Sequence, residues 1–370
     1  MKERIAVIGA NEAITMLIEK AKNMGYETHV FAWQCGDPGE NAADYFYPIS
    51  IDEKDEILEK CKEVGVIGVC SIASDFAVPT VNYVARNLGL VGNGDRTDIV
   101  ARNKYKMRCA FREAGLYTPR FYEAGKDFSM DEVADLECPV IVKPTDRWSS
   151  KGVTRVDSLE QLRVAVDYAI EESFNDKAII EEFMDGPEYS AECICYRGEY
   201  HILAFTQKQT TGHPHYIEIG HVQPSDIPEE KQKYIRQTIF KALRALDIQN
   251  GAAHVEFRIL ENGEIGIIEI GARMGGDSIG TDLTPISTGI DYLRMVVDVA
   301  CGKKPCFDVV REPKCVKIRF IMNEHDIVDY EGIRAKRPEL ITRSSTFDMN
   351  LSNEVIDSST RHGYYIYTEG

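Results

Sequence analysis

The period of the apolar residues changes along the chain, and these changes predict the order of its elements. A continuous apolar run over residues 4–10 predicts a buried parallel strand, and residues 11–24 have a helical period. Further strands are predicted over 28–32 and 66–70, each followed by a stretch with a helical period. This alternation predicts a doubly wound α/β lobe over residues 1–95, with ligand crevices at the carboxyl ends of its strands.

Gly9 stands where the first predicted strand meets the first helix, as a dinucleotide-binding glycine does. The segment G-A-N-E-A-I lacks the second and third glycines of G-x-G-x-x-G, so we do not favour a redox dinucleotide site. Ser74 and Asp75 follow the third strand, where they either line a crevice between lobes or cap the next helix.

The middle of the chain carries cations at the ends of predicted elements. Lys143 ends an apolar strand over 138–144, so its ammonium needs a polar partner, and a nucleotide phosphate is one answer. The loop over 145–152 is rich in hydroxyl groups and cations, and it either covers phosphates or forms a surface loop. Lys104, on the helix predicted over 103–114, is by itself most simply a solvated charge.

A second apolar strand over 178–184 leads into the turn 185–187, with Glu188 just beyond it. Backbone groups at such a turn can read an adenine edge, and the carboxylate can accept ribose hydroxyls. A plain connection between strands has the same pattern.

A hairpin predicted over 254–260 and 264–270 is the centre of the chain's chemistry, because its turn residues place Glu256 opposite Glu269. Two opposed carboxylates repel unless a cation lies between them, and oxygen-only ligands suit Mg²⁺ or Mn²⁺. A solvated face is the plain alternative, but the flanking residues are apolar. Arg273 follows the second strand, where its guanidinium can clamp a phosphate or carboxylate.

Residues 210–223 gather His213, His215, Glu218 and His221. Their spacing suggests zinc only weakly, since no fourth ligand stands at a characteristic distance, and a loop that gates substrate is the other interpretation. Arg361, in the closing segment, is either a contact for a substrate anion or a surface residue.

Composition limits the class of protein. A chain of 370 residues predicts two or three lobes, and a net charge of −17 argues against nucleic acid or an anionic membrane as a partner. The ten cysteines are scattered without C-x-x-C, which favours a reduced cytosol. The apolar run at the start is short for a signal peptide, and no run approaches a membrane span, so a cytoplasmic protein is expected.

Taken in order, these residues resemble the ATP-grasp superfamily over essentially the whole chain. The resemblance implies a Rossmann-like preATP-grasp lobe over 1–95, similar to that of carbamoyl-phosphate synthetases. An ATP-grasp domain over 96–301 would follow, with a lid subdomain over about 119–184, and its two α+β lobes would clasp ATP between antiparallel sheets. Residues 302–370 would complete the catalytic lobe.

The resemblance also implies roles for single residues. ATP would be held by Lys104, Lys143, Ser149, Ser150, Lys151, Gly152, Glu181, Glu182, Phe183, Met184 and Glu188. Glu256 and Glu269 would hold Mg²⁺ or Mn²⁺, and Arg273 would be catalytic. Expected substrate contacts are Ser74, Asp75, His215, Glu218, Arg258 and Arg361.

Two departures from the family pattern matter. Gly271 stands where many members have an asparagine that serves as a further metal ligand, which puts a second Mg²⁺ in doubt. The phosphate loop lacks the glycine run of biotin carboxylases, and the segment R-M-G-G-D is similar to that of ligases that join amino acids.

The activity expected from the resemblance is ATP-dependent joining of a carboxylate to an amine through an acyl phosphate, on amino-acid substrates. Phosphorylation of bicarbonate, as in carbamoyl-phosphate synthetases or biotin carboxylases, and nucleotide binding without turnover are the alternatives. ATP and small carboxylate and amine substrates are the expected partners, without nucleic acid or membrane, and related enzymes suggest a homodimer.

Overall fold

The structure is a computed structural model that describes residues 2–148, 150–213, 216–349 and 351–369. Its first lobe is a four-stranded parallel sheet in the order β3-β2-β1-β4. The lobe's elements are β1 (Arg4–Ile8), α1 (Glu12–Asn23), β2 (Glu27–Phe31), α2 (Pro38–Ala42), β3 (Tyr45–Tyr47), α3 (Lys54–Val64), β4 (Gly68–Cys70) and α4 (Val78–Leu88). The doubly wound lobe predicted from the sequence is confirmed.

Two helices lead to a second, smaller sheet of four antiparallel strands in the order β5-β8-β6-β7. This part of the chain contains α5 (Asp95–Val100), α6 (Lys104–Glu113), β5 (Phe121–Ala124), β6 (Val140–Pro144), β7 (Thr154–Val156), α7 (Leu162–Glu172) and β8 (Ala178–Glu182). One face of α7 packs on the sheet and forms a core of its own, drawn from residues 124–180.

The largest sheet has eight strands in the order β13-β12-β9-β10-β11-β14-β16-β15, and its neighbouring strands are antiparallel. The strands are β9 (Glu188–Tyr196), β10 (Glu199–Thr210), β11 (Glu218–Gln223), β12 (Gly251–Ile259), β13 (Ile265–Gly271), β14 (Val316–Phe320), β15 (Ile341–Ser344) and β16 (Tyr364–Thr368). The helices among them are α8 (Glu229–Ala245), α9 (Thr284–Thr288), α10 (Tyr292–Ala300) and α11 (Glu324–Lys336). A short π-helical segment, Ile279–Leu283, precedes α9.

The two faces of the large sheet are buried by different helices. Helices α6 and α8 cover one face, where Phe111 and Ile239 belong to the same core as Phe257. On the other face, Ala252 joins a core that contains Tyr292 of α10 and Leu17 of the first lobe. The first lobe and the large sheet therefore share a continuous core.

The register of the β12–β13 hairpin confirms the prediction made for it. Glu256 lies directly opposite Glu269, and the register shifts by one residue immediately afterwards, at Phe257. The sequence did not predict β11 within 210–223 or helix α11.

Candidate active site

A cavity of about 780 Å³ lies where the first lobe and the two antiparallel sheets meet. Its wall includes Asn11 and Asp75 from the first lobe, Lys143 from the small sheet, and Glu256 and Glu269 from the large sheet. The sequence-predicted residues on this wall are Asp75, Lys104, Lys143, Ser150, Lys151, Glu181, Glu182, Phe183, Met184, Glu188, Glu218, Glu256, Arg258, Glu269, Arg273 and Arg361. Residues spread over most of the chain thus come together.

Two predicted residues lie away from the cavity wall, and two others are not among the described residues. Ser74 is absent from the cavity wall, and its Oγ accepts a hydrogen bond from the N–H of Ala77 at 3.3 Å, which favours the capping alternative. Gly152 is also absent from the wall, because it packs against Pro144, whose Cγ would lie 2.7 Å from an added Cβ. Ser149 and His215 lie outside the described residues.

The two opposed carboxylates are each held by a lysine. Glu256 Oε1 accepts hydrogen bonds from Lys208 Nζ at 2.7 Å and from His254 Nε2 at 3.2 Å, and Glu269 Oε1 accepts one from Lys104 Nζ at 3.0 Å. Burial would raise the pKa of Glu256, but the nearby cations outweigh it and hold the pKa well below its ordinary value. Among the described residues every hydrogen bond to these carboxylates goes to Oε1, so Oε2 of each stays available.

His254 carries one of those positive charges. Burial would lower its pKa, but Glu192 and Glu256 raise the pKa to about 9. Nδ1 of His254 lies 2.5 Å from Glu192, a carboxylate with no solvent exposure, and Glu192 also accepts the N–H of Gly275 at 3.1 Å.

A buried triad of charges lies under the small sheet. Glu181, which is 3 % exposed, bonds Arg108 at 2.6 Å and Lys143 at 2.6 Å. Burial would raise the pKa of Glu181, but attraction to Arg108 and Lys143 lowers it to about 2. Burial lowers the pKa of Lys143. Lys143 therefore already has a carboxylate partner, and its contact with a phosphate stays a prediction.

Arg258 lies beside residues predicted to hold the nucleotide. Its guanidinium donates to the carbonyl of Met184 at 3.2 Å and to Glu188 at 2.9 Å, and it lies 4.8 Å from the centre of the Phe183 ring. The structure places Arg258 with the predicted adenine and ribose residues, although it was expected among the substrate contacts.

Arg273 pairs with the first lobe. Its guanidinium donates to both carboxylate oxygens of Asp75, at 2.8–3.2 Å. The two side chains, from opposite parts of the chain, therefore meet at the cavity wall.

The far end of the cavity is formed by β11 and the closing segment. Arg361 donates to Asp277 at 2.6 Å and its guanidinium lies 3.6 Å from the centre of the Phe320 ring, so the surface position considered for Arg361 is wrong. Ser358 donates a hydrogen bond to Glu218. His221 is 1 % exposed, and neither ring nitrogen has a hydrogen-bond partner in the part of the chain that the structure describes.

The loop over 145–152 lies over the cavity and contacts the first lobe. Lys104 Nζ donates to the carbonyl of Arg147 at 2.5 Å, and the Trp148 ring lies 4.6 Å from that of Phe76. The loop is thus fixed both to the cavity floor and to the neighbouring lobe.

Sequence reasoning missed several residues of this wall. Lys208, His254, Asp277 and Arg343 line the cavity, and Glu192 supports it. Lys208 follows the apolar residues of β10, and a lysine so close to an apolar run was a local signal that could have pointed to a buried charge.

The ATP-grasp domain family matches residues 136–282, which include β6, the loop over 145–152 and the β12–β13 hairpin. Residues 136–282 form an ATP-grasp domain. The matched range contains Glu256, Glu269 and Arg273 of this ATP-grasp domain.

Several proteins of similar sequence are ligases. The alanine–anticapsin ligase of Bacillus subtilis strain 168 is 30 % identical over 305 residues, covering 72 % of this chain and 63 % of the relative. A D-alanine–D-alanine ligase of Acetivibrio thermocellus is 26 % identical over 266 residues, covering 66 % of this chain and 69 % of the relative. The chain spans less than two thirds of the length of the alanine–anticapsin ligases that it matches.

Solved structures have the same ATP-grasp fold. The L-amino acid ligase from Bacillus licheniformis superposes with a TM-score of 0.80 at 25 % identity, covering 100 % of this chain and 93 % of that one. The N5-carboxyaminoimidazole synthetase from Staphylococcus aureus, complexed with ADP, superposes with a TM-score of 0.77 at 14 % identity, covering 100 % and 94 %.

Proposed function

We propose that this protein is an ATP- and Mg²⁺-dependent carboxylate–amine ligase that acts on amino-acid substrates. The observation that carries the proposal is the pair Glu256 and Glu269, opposed on one hairpin in a cavity that also contains Lys104, Lys143 and Arg273. The similarity to alanine–anticapsin ligase and to an L-amino acid ligase supports amino acids as the substrate class.

ATP binds, in this proposal, between the small sheet and the large sheet. Lys104 and Lys143 contact its phosphates, and the loop with Ser149, Ser150, Lys151 and Gly152 covers them. The adenine lies against Glu181–Met184, and the ribose bonds Glu188. Arg258 joins this group, because it contacts both Met184 and Glu188.

The donor set fits a hard divalent cation. Glu256 and Glu269 each keep one carboxylate oxygen free of described partners, and Mg²⁺ commonly takes one or two carboxylates together with phosphate oxygens. The same oxygens accept Mn²⁺. Bound there, the cation supplies positive charge that neutralises the phosphates.

The reaction has two transfers. A carboxylate oxygen of the acid attacks the γ-phosphorus of ATP, and the bond from that phosphorus to the β–γ bridging oxygen breaks. The products of this step are ADP and an acyl phosphate. The amine nitrogen then attacks the acyl carbon and gives up a proton, and the bond from that carbon to the phosphate oxygen breaks. Inorganic phosphate is released, and the amide is the product. Arg273 stabilises the charge that develops at the acyl oxygen, and the loop over 145–152 excludes water.

Acid and amine substrates lie, in this proposal, towards the end of the cavity formed by β11. Glu218 and Arg361 line that region, Asp75 lies on the part of the wall contributed by the first lobe, and together they offer both signs of charge to amino and carboxyl groups. His215 stays a predicted contact. The buried ring of His221, whose Nε2 lies 3.7 Å from Asp277, adds a further polar group to this end of the cavity.

The domain division stays a proposal, with a first lobe over 1–95, an ATP-grasp domain over 96–301 with a lid over about 119–184, and a closing segment over 302–370. Its support is that β5 to β8 form one sheet, while β14 to β16 join the large sheet. A cytoplasmic location and a homodimer also stay predictions. No helix in the described ranges is long and apolar enough to cross a membrane.

The test is Mg²⁺-dependent release of ADP and phosphate from ATP with a panel of single and paired amino acids. We expect release that needs both an acid and an amine, and a loss of roughly 100-fold or more in Glu269→Gln, because a metal ligand is removed while size is kept. Glu261→Gln, in the exposed hairpin turn, is the matched control and should behave as the wild type.

Two results would contradict the proposal. Equal turnover in Glu269→Gln and wild type would remove the metal site from the reaction. ATP binding without stimulation by any pair would disfavour amino acids and favour bicarbonate or binding without turnover.

A further inference from the structure

The number of metal ions can be inferred from the charges around Glu256, an inference that rests on the proposed function. Lys208 of β10 is buried, and its Nζ lies 2.7 Å from Glu256, 3.1 Å from Glu188 and 3.5 Å from Glu218. A fixed positive charge therefore stands at the centre of three acids.

Gly271 leaves no ligand on the opposite strand. It is two residues beyond Glu269 in β13, so a side chain there would share the face of Glu269. An added Cβ would lie 3.1 Å from Arg273 Cζ and 3.2 Å from Asp75 Oδ1. The Arg273–Asp75 pair thus fills the space that a larger residue would need.

The remaining acids are already engaged. Glu188 bonds Lys208 and Arg258, and Glu218 contacts Lys208 and Ser358. In the described part of the chain no three acidic, histidine or cysteine groups converge as a ligand set for a metal. One cation can use Glu256 Oε2, Glu269 Oε2 and phosphate oxygens, but a second would have to displace the ammonium of Lys208.

We propose that the site takes one divalent cation with each nucleotide, and that the Lys208 ammonium supplies the positive charge of a second cation beside Glu256, Glu188 and Glu218. Lys208 is then a positioning residue, because it fixes the orientation of Glu256 through Oε1 and leaves Oε2 to the metal. Gly271, which supplies no metal ligand, and Lys208, which supplies positive charge, together make this a site for one cation.

The test is a titration with Mn²⁺ in the presence of a non-hydrolysable ATP analogue, with free Mn²⁺ followed by electron paramagnetic resonance. We expect one bound Mn²⁺ per chain in the wild type and in Lys208→Arg, which keeps the charge. Lys208→Met should bind a second Mn²⁺, because three carboxylates lose their counter-charge. Lys241→Met is the control, since Lys241 is an exposed lysine that bonds only the carbonyl of Gly115 among the described residues.

Any count other than one in the wild type overturns the proposal, and so does a single Mn²⁺ of unchanged affinity in Lys208→Met. If Lys208→Met does not fold, the Mn²⁺ counts of the wild type and of Lys208→Arg test the proposal. Two bound Mn²⁺ ions per chain in either protein refute it. Affinity for the analogue is measured in parallel. A wild type that binds the analogue with two ions refutes only this inference, whereas one that binds no analogue refutes the proposed function as well.

Discussion

Most cations on the cavity wall already have an acid as a partner. Arg273 pairs with Asp75, Lys143 with Glu181, and Arg361 with Asp277. A charged substrate that enters therefore exchanges partners with existing ion pairs, and its binding free energy is the difference between two sets of contacts. Substitution of one member of such a pair therefore changes both the stability of the folded protein and its affinity for the substrate.

The stability contributed by Glu181 should depend on pH. Its pKa is depressed from 4.5 to about 2, so its contribution is present above pH 4.5 and is lost as the pH falls through about 2. Glu181→Gln should lower the free energy of unfolding by about 3 kcal/mol at pH 7, since each pKa unit corresponds to about 1.4 kcal/mol. Urea unfolding from pH 7 to pH 2.5 measures this, and the gap between wild type and variant should narrow towards the acid end.

Glu123→Gln is the matched control, because Glu123 lies on the neighbouring strand β5 and its carboxylate is 3.9 Å from Lys177 in a partly exposed pair. Such a pair contributes about 0–1 kcal/mol. A gap for Glu181→Gln that stays constant with pH would contradict the assignment.

At the scale of elements, Arg147 and Trp148 join the loop over 145–152 to helix α6 and to the first lobe. Trp148 packs on Phe76 of the first lobe, and the guanidinium of Arg102 lies 5.7 Å from the centre of the Trp148 ring. The carbonyl of Arg147 accepts from Lys104, which also bonds Glu269. The closed loop and the hairpin carboxylate therefore share one lysine.

Trp148→Ala should loosen this loop. An aromatic pair contributes about 1 kcal/mol, so the closed state should become about fivefold less favourable, and water should reach the acyl phosphate. We expect more ADP released per amide formed, measured by chromatography of both products. Trp33→Ala is the control, because Trp33 is 71 % exposed. An unchanged ratio of ADP to amide would show that Trp148 does not control access of water.

At the scale of the whole molecule, the Asp75–Arg273 pair joins the first lobe to the large sheet at the cavity. Asp75→Asn should leave Arg273 without its fixed orientation and lower kcat/KM for the acid substrate by about a hundredfold, with a smaller effect on the KM for ATP. Steady-state kinetics with each substrate varied in turn measures the two effects separately.

Lys20→Met is the matched control, because Lys20 bonds Asp291 at 2.7 Å and also joins the first lobe to the rest of the chain, but outside the cavity wall. If both variants lose the same activity, the Asp75 pair acts only by holding the lobes together.

The sequence predicted what depends on local pattern. Apolar runs gave the first lobe, and the turn residues at 261–263 placed Glu256 opposite Glu269 in the observed register. Lys208 was missed because its partners come from β9, β11 and β12, and only the assembled sheet brings them together. The position of Arg258 beside Met184 and Glu188 was not predicted for the same reason, since these contacts join parts of the chain that are distant in sequence.

The shared core of the first lobe and the large sheet has a consequence for engineering. Leu17, Ala252 and Tyr292 pack together, whereas the small sheet closes its core with residues 124–180 alone. The small sheet is therefore the part best suited to exchange between homologues, provided that the parent supplies an arginine like Arg108, which forms a buried pair with Glu181 at 2.6 Å. A chimera that replaces only residues 1–95 would pack the first lobe of one homologue against the large sheet and α10 of another. Helix α10 would therefore have to come from the homologue that supplies the first lobe.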